Sequence, residues 1–199
     1  PAGRAVAATA GAQIKKTVLE LGGSDPFVVL EDADLDLAVK YAVASRFLNC
    51  GQSCIAAKRF ILEESIADPF IERFKRKAHA LRLGDPMKEE TQLGPMARAD
   101  LRDQLHKQVT DSVTAGATFA LHGGPAAGPG FFYEPTVLDH VRPGMRAHEE
   151  ELFGPVAVVM RARDEDEAVR LAHGSRYGLG ANEFTRDVEK GERMVRRIE

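Results

Sequence analysis

Pro26–Leu30, PFVVL, is an apolar run with no polar break, and Val156–Arg161, VAVVMR, is a second run of strand character. Runs this short and rich in β-branched residues fit buried strands. Between such runs lie helical patterns. Asp32 or Asp34 is placed to cap a helix running to about Phe47, with Leu35, Val39, Ala42 and Val43 on one face. Further helices are expected at Arg4–Ala12, Ile66–Leu81 (capped by Ser65), Arg98–Ala115, Asp164–His173 and Asp187–Arg197, and a short one at Cys54–Ala57. Strands are expected at Lys15–Leu21, Arg59–Leu62, Ala117–Leu121 and Leu179–Thr185, with Tyr133–Val141 extended around Pro135. This alternation predicts an α/β fold: a doubly wound, largely parallel sheet flanked by helices.

Bulk properties narrow the function. The 199 residues allow one or at most two domains. A formal net charge of −3, with both signs interspersed, argues against a nucleic-acid surface. No apolar run approaches the roughly 18 residues that span a bilayer, and the start has no charged-then-apolar leader. No membrane partner and a reducing cytoplasm are the expectation. The start at Pro1 without Met, and the end within a basic helical stretch, read as an excised segment.

Chemistry concentrates in Arg46–Phe60, RFLNCGQSCIAAKRF. Cys54 follows a Gly-Gln-Ser turn. Near the first turn of a helix from about Ser53, free N–H groups would favour its thiolate and stabilise an oxyanion. A cysteine beside Ile55 and Ala56 is equally readable as a small buried hydrophobe. Cys50 and Cys54 form a C-x3-C pair with no second pair and no nearby histidine, so no metal site is expected. A thiol-redox pair remains open. In Val18–Gly23, VLELGG, Glu20 stands between Leu19 and Leu21, where burial would raise its pKa toward that of a useful base. Gly22 and Gly23 let backbone approach a reacting centre without a Cβ in the way. Gly123–Gly130 lacks a Gly-Lys-Ser/Thr ending and is no phosphate cradle.

LELGG followed by GQSC, together with GSDPFVVLEDADLDLAV and EEELFGPV, resembles the aldehyde dehydrogenase superfamily across essentially the whole chain. The resemblance implies that Cys54 is the nucleophile and Glu20 the general base for thioester hydrolysis. It places Glu151 and Phe153, with Leu21 and Gly22, at an NAD or NADP cofactor. LGPMAR and GQSCIAAKRFI are similar to bacterial succinate-semialdehyde dehydrogenases. Succinate semialdehyde is therefore the expected substrate, and Arg46 is a candidate for its carboxylate. Asn49 is expected to order the loop before Cys54; a regulatory disulfide between Cys50 and Cys54 is the minor alternative, because the second cysteine known in some succinate-semialdehyde dehydrogenases stands at a different spacing. The resemblance makes residues 1–21 the tail of a cofactor-binding domain and 22–199 a catalytic domain, in a homo-oligomer. Asn182 and Glu183 stand where the family has a small and an aliphatic residue, which suggests either that this strand is an edge or that this lineage differs. The alternatives are a folded module without a complete cofactor site, oxidation of another aldehyde, and a coenzyme A-acylating relative, against which Glu20 argues.

Overall fold

The computed structural model describes residues 2–198. Six strands form one sheet: β1 (Asp25–Val29), β2 (Ala57–Glu63), β3 (Thr118–Leu121), β4 (Thr136–Asp139), β5 (Val156–Ala162) and β6 (Asn182–Phe184). Their order is β3-β4-β5-β2-β1-β6. Every pairing is parallel except β3 against β4. The helices are α1 (Ala2–Ala12), α2 (Leu35–Phe47), α3 (Glu64–His79), α4 (Ala99–Thr114), α5 (Arg146–Glu149), α6 (Glu165–His173) and α7 (Val188–Val195).

The central strands show why the apolar runs are unbroken. β1 and β2 are buried at every residue, and β5 at all but Arg161. A parallel strand covered on both faces has no solvent side to carry an alternating polar set. Adjacent residues of β2 identify the two covers. Phe60 packs on Phe27 and on Phe74 of α3, with ring centroids 5.1 and 5.0 Å apart. Its neighbour Arg59 turns to the other face and donates to the carbonyls of Leu171 and Ala172 at the end of α6, at 2.7 and 2.9 Å. The sheet is therefore sandwiched, as the strand–helix alternation predicts.

Of the two candidate caps, Asp34 caps α2: its carboxylate accepts from the N–H groups of Asp36 and Leu37, both at 3.1 Å. Asp32 instead accepts from the Thr185 hydroxyl and the Arg186 and Asp187 N–H groups, pinning the connection from β6 to α7.

Three local expectations are corrected. Lys15–Leu21 is irregular, with Val18 82% and Leu21 57% exposed, because it finds no strand partner among the described residues. Cys54–Ala57 is not a helix: Cys54 and Ile55 form a turn, and β2 already starts at Ala57. The carbonyls of Ser53 and Cys54, which a helix would pair with N–H groups four residues on, accept from the Lys58 ammonium instead. Ser65 does not cap α3, because β2 runs to Glu63 and the helix follows at once.

β6 lies at the sheet's edge, where the charge at Glu183 pointed. Both Glu183 carboxylate oxygens are nonetheless shielded from water and lack a hydrogen-bond partner. Burial, reinforced by Glu165, pushes this carboxyl up to about 7, with Lys190 opposing. The native state therefore holds the proton more tightly than the unfolded chain does. Its contribution to stability is present at low pH and is lost as pH rises through about 7. Glu183→Gln in this chain is expected to raise the thermal midpoint at about pH 8 and change it little at about pH 5. Equal shifts at both pH values would show that Glu183 does not titrate in this way.

Candidate active site

Three segments meet at one end of the central strands. Gly22-Gly23 enters β1, the Cys54 turn enters β2, and Glu151–Pro155 enters β5. Because β5, β2 and β1 are neighbours and parallel, all three arrive at the same, N-terminal, strand ends. Topology thus brings together residues 128 positions apart in sequence, Gly23 and Glu151.

The contacts are close. The Gly23 N–H donates to Glu151 Oε1 at 3.1 Å. A Cβ on Gly22 would stand 2.5 Å from Glu151 Oε2, and one on Gly23 would stand 2.5 Å from the Cys54 carbonyl. Real side chains do not approach so closely, so glycine at both positions is what permits the convergence. The Lys58 Nζ sits beneath the turn and donates to the carbonyls of Ser53, Cys54 and Ala56, each at 3.0 Å. It also pairs with Glu151 Oε1 at 3.7 Å. Burial, aided by Arg46, pushes this ammonium down to about 8, while Glu151, Asp25 and Cys54 act the other way.

The loop before Cys54 is tightly bent. Asn49, Cys50 and Gly51 follow one another at φ of 52°, 56° and 67°, in the left-handed region. Asn49 orders this loop as expected, its side chain donating to the Gln52 carbonyl at 3.0 Å. Gln52 Oε1 in turn accepts from the Ala97 N–H at 2.9 Å.

The predicted residues occupy distinct settings. Cys54 is partly exposed and free. No helix stands behind it, so the positive charge beside it is Lys58 rather than a helix terminus. Glu20 is exposed, not buried between its leucines, because the segment that carries it runs over the surface. Leu21 packs against Gly3 of α1. Glu151 is held by Gly23 and Lys58, and Phe153 beside it presents a ring that is 38% exposed. Glu149 and Glu150 are taken up locally, by His148 and the Gly144 N–H and by Arg146 and Gln108.

Arg46 is a correction. It is fully buried and donates to the Gly51 carbonyl at 2.6 Å, so it has no surface for a substrate carboxylate. Cys50 is buried and free, and burial pushes its thiol up to about 12, which argues against a redox partner for Cys54. Lys58 and Arg59 escaped the sequence reading. Their signal was present: two consecutive cations opening an apolar strand must find partners if that strand is buried.

The family model described as the aldehyde dehydrogenase family matches residues 1–199. The chain belongs to the aldehyde dehydrogenase family. It is 56% identical over 198 residues to the succinate semialdehyde dehydrogenase [NAD(P)+] Sad of Escherichia coli K12, covering 100% of this chain and 43% of that protein. It is 51% identical over 199 residues to a succinate-semialdehyde dehydrogenase [NADP(+)] of Mycobacterium avium, covering 100% of this chain and 42% of that protein. Its fold superposes on E. coli lactaldehyde dehydrogenase with a TM-score of 0.94 at 36% identity, over 99% of this chain and 42% of that one. The chain thus spans less than half the length of these relatives. No helix among the described residues is long and apolar enough to cross a membrane.

Proposed function

We propose that these residues carry out the chemical steps of an NAD- or NADP-dependent oxidation of an aldehyde to its acid, with succinate semialdehyde as the substrate. The observation that supports this most is the convergence of Cys54, the Gly22-Gly23 turn and Glu151 at adjacent parallel strand ends. The names of the two relatives favour the substrate and the cofactor class.

In this reading the Cys54 sulfur bonds to the aldehyde carbon, giving a thiohemiacetal. A bound nicotinamide supplies the acceptor for the hydride that this carbon loses. The thioester left on Cys54 is attacked by water, and Glu20 takes that water's proton. The acid departs and the thiolate returns. Glu20 is suited to the task by its exposure, which lets it reach water and hand the proton on.

The cofactor-facing residues fit the group. Glu151 is an acceptor fixed in advance by Gly23 and Lys58, as recognition of a ribose hydroxyl requires, and the half-open Phe153 ring offers a face to a nicotinamide. Gly22 keeps the approach to Glu151 free of a Cβ. We also read residues 1–21 as the edge of a cofactor-binding domain and 22–199 as catalytic. In support, α1 buries no residue, whereas burial is continuous from Gly23 into β1.

The test is reduced-cofactor absorbance in the complete protein carrying this sequence, given succinate semialdehyde with NAD or NADP. Turnover is expected. No reduction with either cofactor, while Cys54 still alkylates, would overturn the reading. For Glu20→Gln the expected result is one rapid equivalent of reduced cofactor, then a steady rate lowered by roughly 10²- to 10⁴-fold, the usual worth of a general base. A normal steady rate would remove Glu20 from that role.

A further inference from the structure

We infer that Lys58 is a positioning residue whose ammonium ties the turn carrying Cys54 to the Glu151 carboxylate, so that nucleophile and cofactor-holding group are set by one buried charge. The bearing on the cofactor rests on the function proposed above; the tie itself does not.

Lys58 is 1% exposed, and a lysine ammonium has three donors. All three are spent on a single turn, at the carbonyls of Ser53, Cys54 and Ala56. Cys54 and Ile55 turn instead of continuing as a helix, so the Ser53 carbonyl accepts only the Ala56 N–H that closes the turn, at 3.2 Å, and the ammonium is bonded by all three carbonyls. The remaining requirement of a buried cation is an anion, and Glu151 provides it at 3.7 Å. Glu151 is fixed on its other side by the Gly23 N–H. The chain of contacts is therefore turn carbonyls, Lys58, Glu151, Gly23, with the partly exposed Cys54 thiol near its first link.

A lysine that only filled space would make few such contacts, and a methionine would replace it. This one holds the backbone turn before β2 and the carboxylate that precedes β5. Its charge also lies beside Cys54, whose carbonyl it bonds at 3.0 Å.

The experiment is a double-mutant cycle in the complete protein: wild type, Lys58→Met, Glu151→Gln and the double variant. Iodoacetamide alkylation of Cys54 is followed without aldehyde or cofactor. Cys50, buried and with its thiol pushed up to about 12, stays silent in this assay. Lys58→Met is expected to slow alkylation by roughly tenfold and to raise KM for the nicotinamide cofactor more than KM for the aldehyde, the scale on which groups that orient a reactive residue act. Glu151→Gln alone is expected to speed alkylation, because the cation then faces the turn without a competing anion. In the Lys58→Met background that acceleration should vanish.

Additive effects, with Glu151→Gln acting equally in both backgrounds, would overturn the inference. If Lys58→Met does not fold, Lys58→Gln takes its place in the cycle. Glu151→Gln alone still decides, since an unchanged alkylation rate there would break the tie. Because alkylation needs no turnover, coupling without aldehyde oxidation would count against the proposed function and leave the role of Lys58 standing.

Discussion

Under the function proposed above, Cys54→Ala in the complete protein is expected to lower aldehyde oxidation by at least ~10⁴-fold while the fold and cofactor affinity persist. The size follows from the chemistry assigned to one atom. Without a sulfur there is no covalent adduct, so hydride would have to leave from an aldehyde or its hydrate that nothing holds, and no thioester forms for Glu20 to help hydrolyse. Loss of a group acting as a unit with others costs nearly the whole effect of that unit. The fold should survive because Cys54 is partly exposed and its turn is held through backbone carbonyls by Lys58, which an alanine leaves intact. Cofactor affinity should survive because Glu151 is fixed by Gly23 and Lys58 and owes nothing to the sulfur. Cofactor titration by fluorescence and a thermal midpoint check both points. Substantial residual turnover in Cys54→Ala would move the nucleophile elsewhere and leave Cys54 as packing.

The sheet was legible because its signals are local and strong. PFVVL and VAVVM can hardly be anything but covered strands, and the charge at Glu183 correctly marks an edge. The turn that carries Cys54 was legible only as a motif. What propensity reads as a helix after Ser53 is a turn, because one lysine side chain claims the carbonyls a helix needs, a tertiary choice that no local pattern encodes. Glu20 shows the opposite failure. Its leucine neighbours suggested burial, but apolar flanks bury a residue only when another element covers them, and Leu19 and Leu21 remain exposed among the described residues. Arg46 was misplaced for a similar reason: a charged residue at the end of a helix is usually at the surface, yet this one is drawn inside to bond the Gly51 carbonyl.

That buried arginine sets the second large effect, at Gly51. Gly51→Ala is expected to destabilise this chain by about 2–5 kcal/mol, lowering its thermal midpoint by roughly 5–15 °C. Two costs combine. Gly51 lies at φ +67°, where a Cβ is disfavoured by about 1–2 kcal/mol. The new methyl would also overlap the Gly154 carbonyl and stand 2.5 Å from Arg46 Nη2, and forcing a packed core apart costs about 1–3 kcal/mol. Neither neighbour yields easily. Gly154 is buried and lies in the segment that carries Glu151 and Phe153, and Arg46 Nη2 is the nitrogen that bonds the Gly51 carbonyl. Its Nε and Nη1 already lack partners, so displacing Nη2 would strand the guanidinium further, at a depth where burial has pushed it down to about 10. The Cys54 and Glu151 segments would separate together, so alkylation of Cys54 and cofactor affinity should fall in parallel with stability. A thermal midpoint within about 2 °C of wild type would mean that the three-residue left-handed bend relaxes at little cost, and that the close approach of Gly51 to Gly154 does not brace the site.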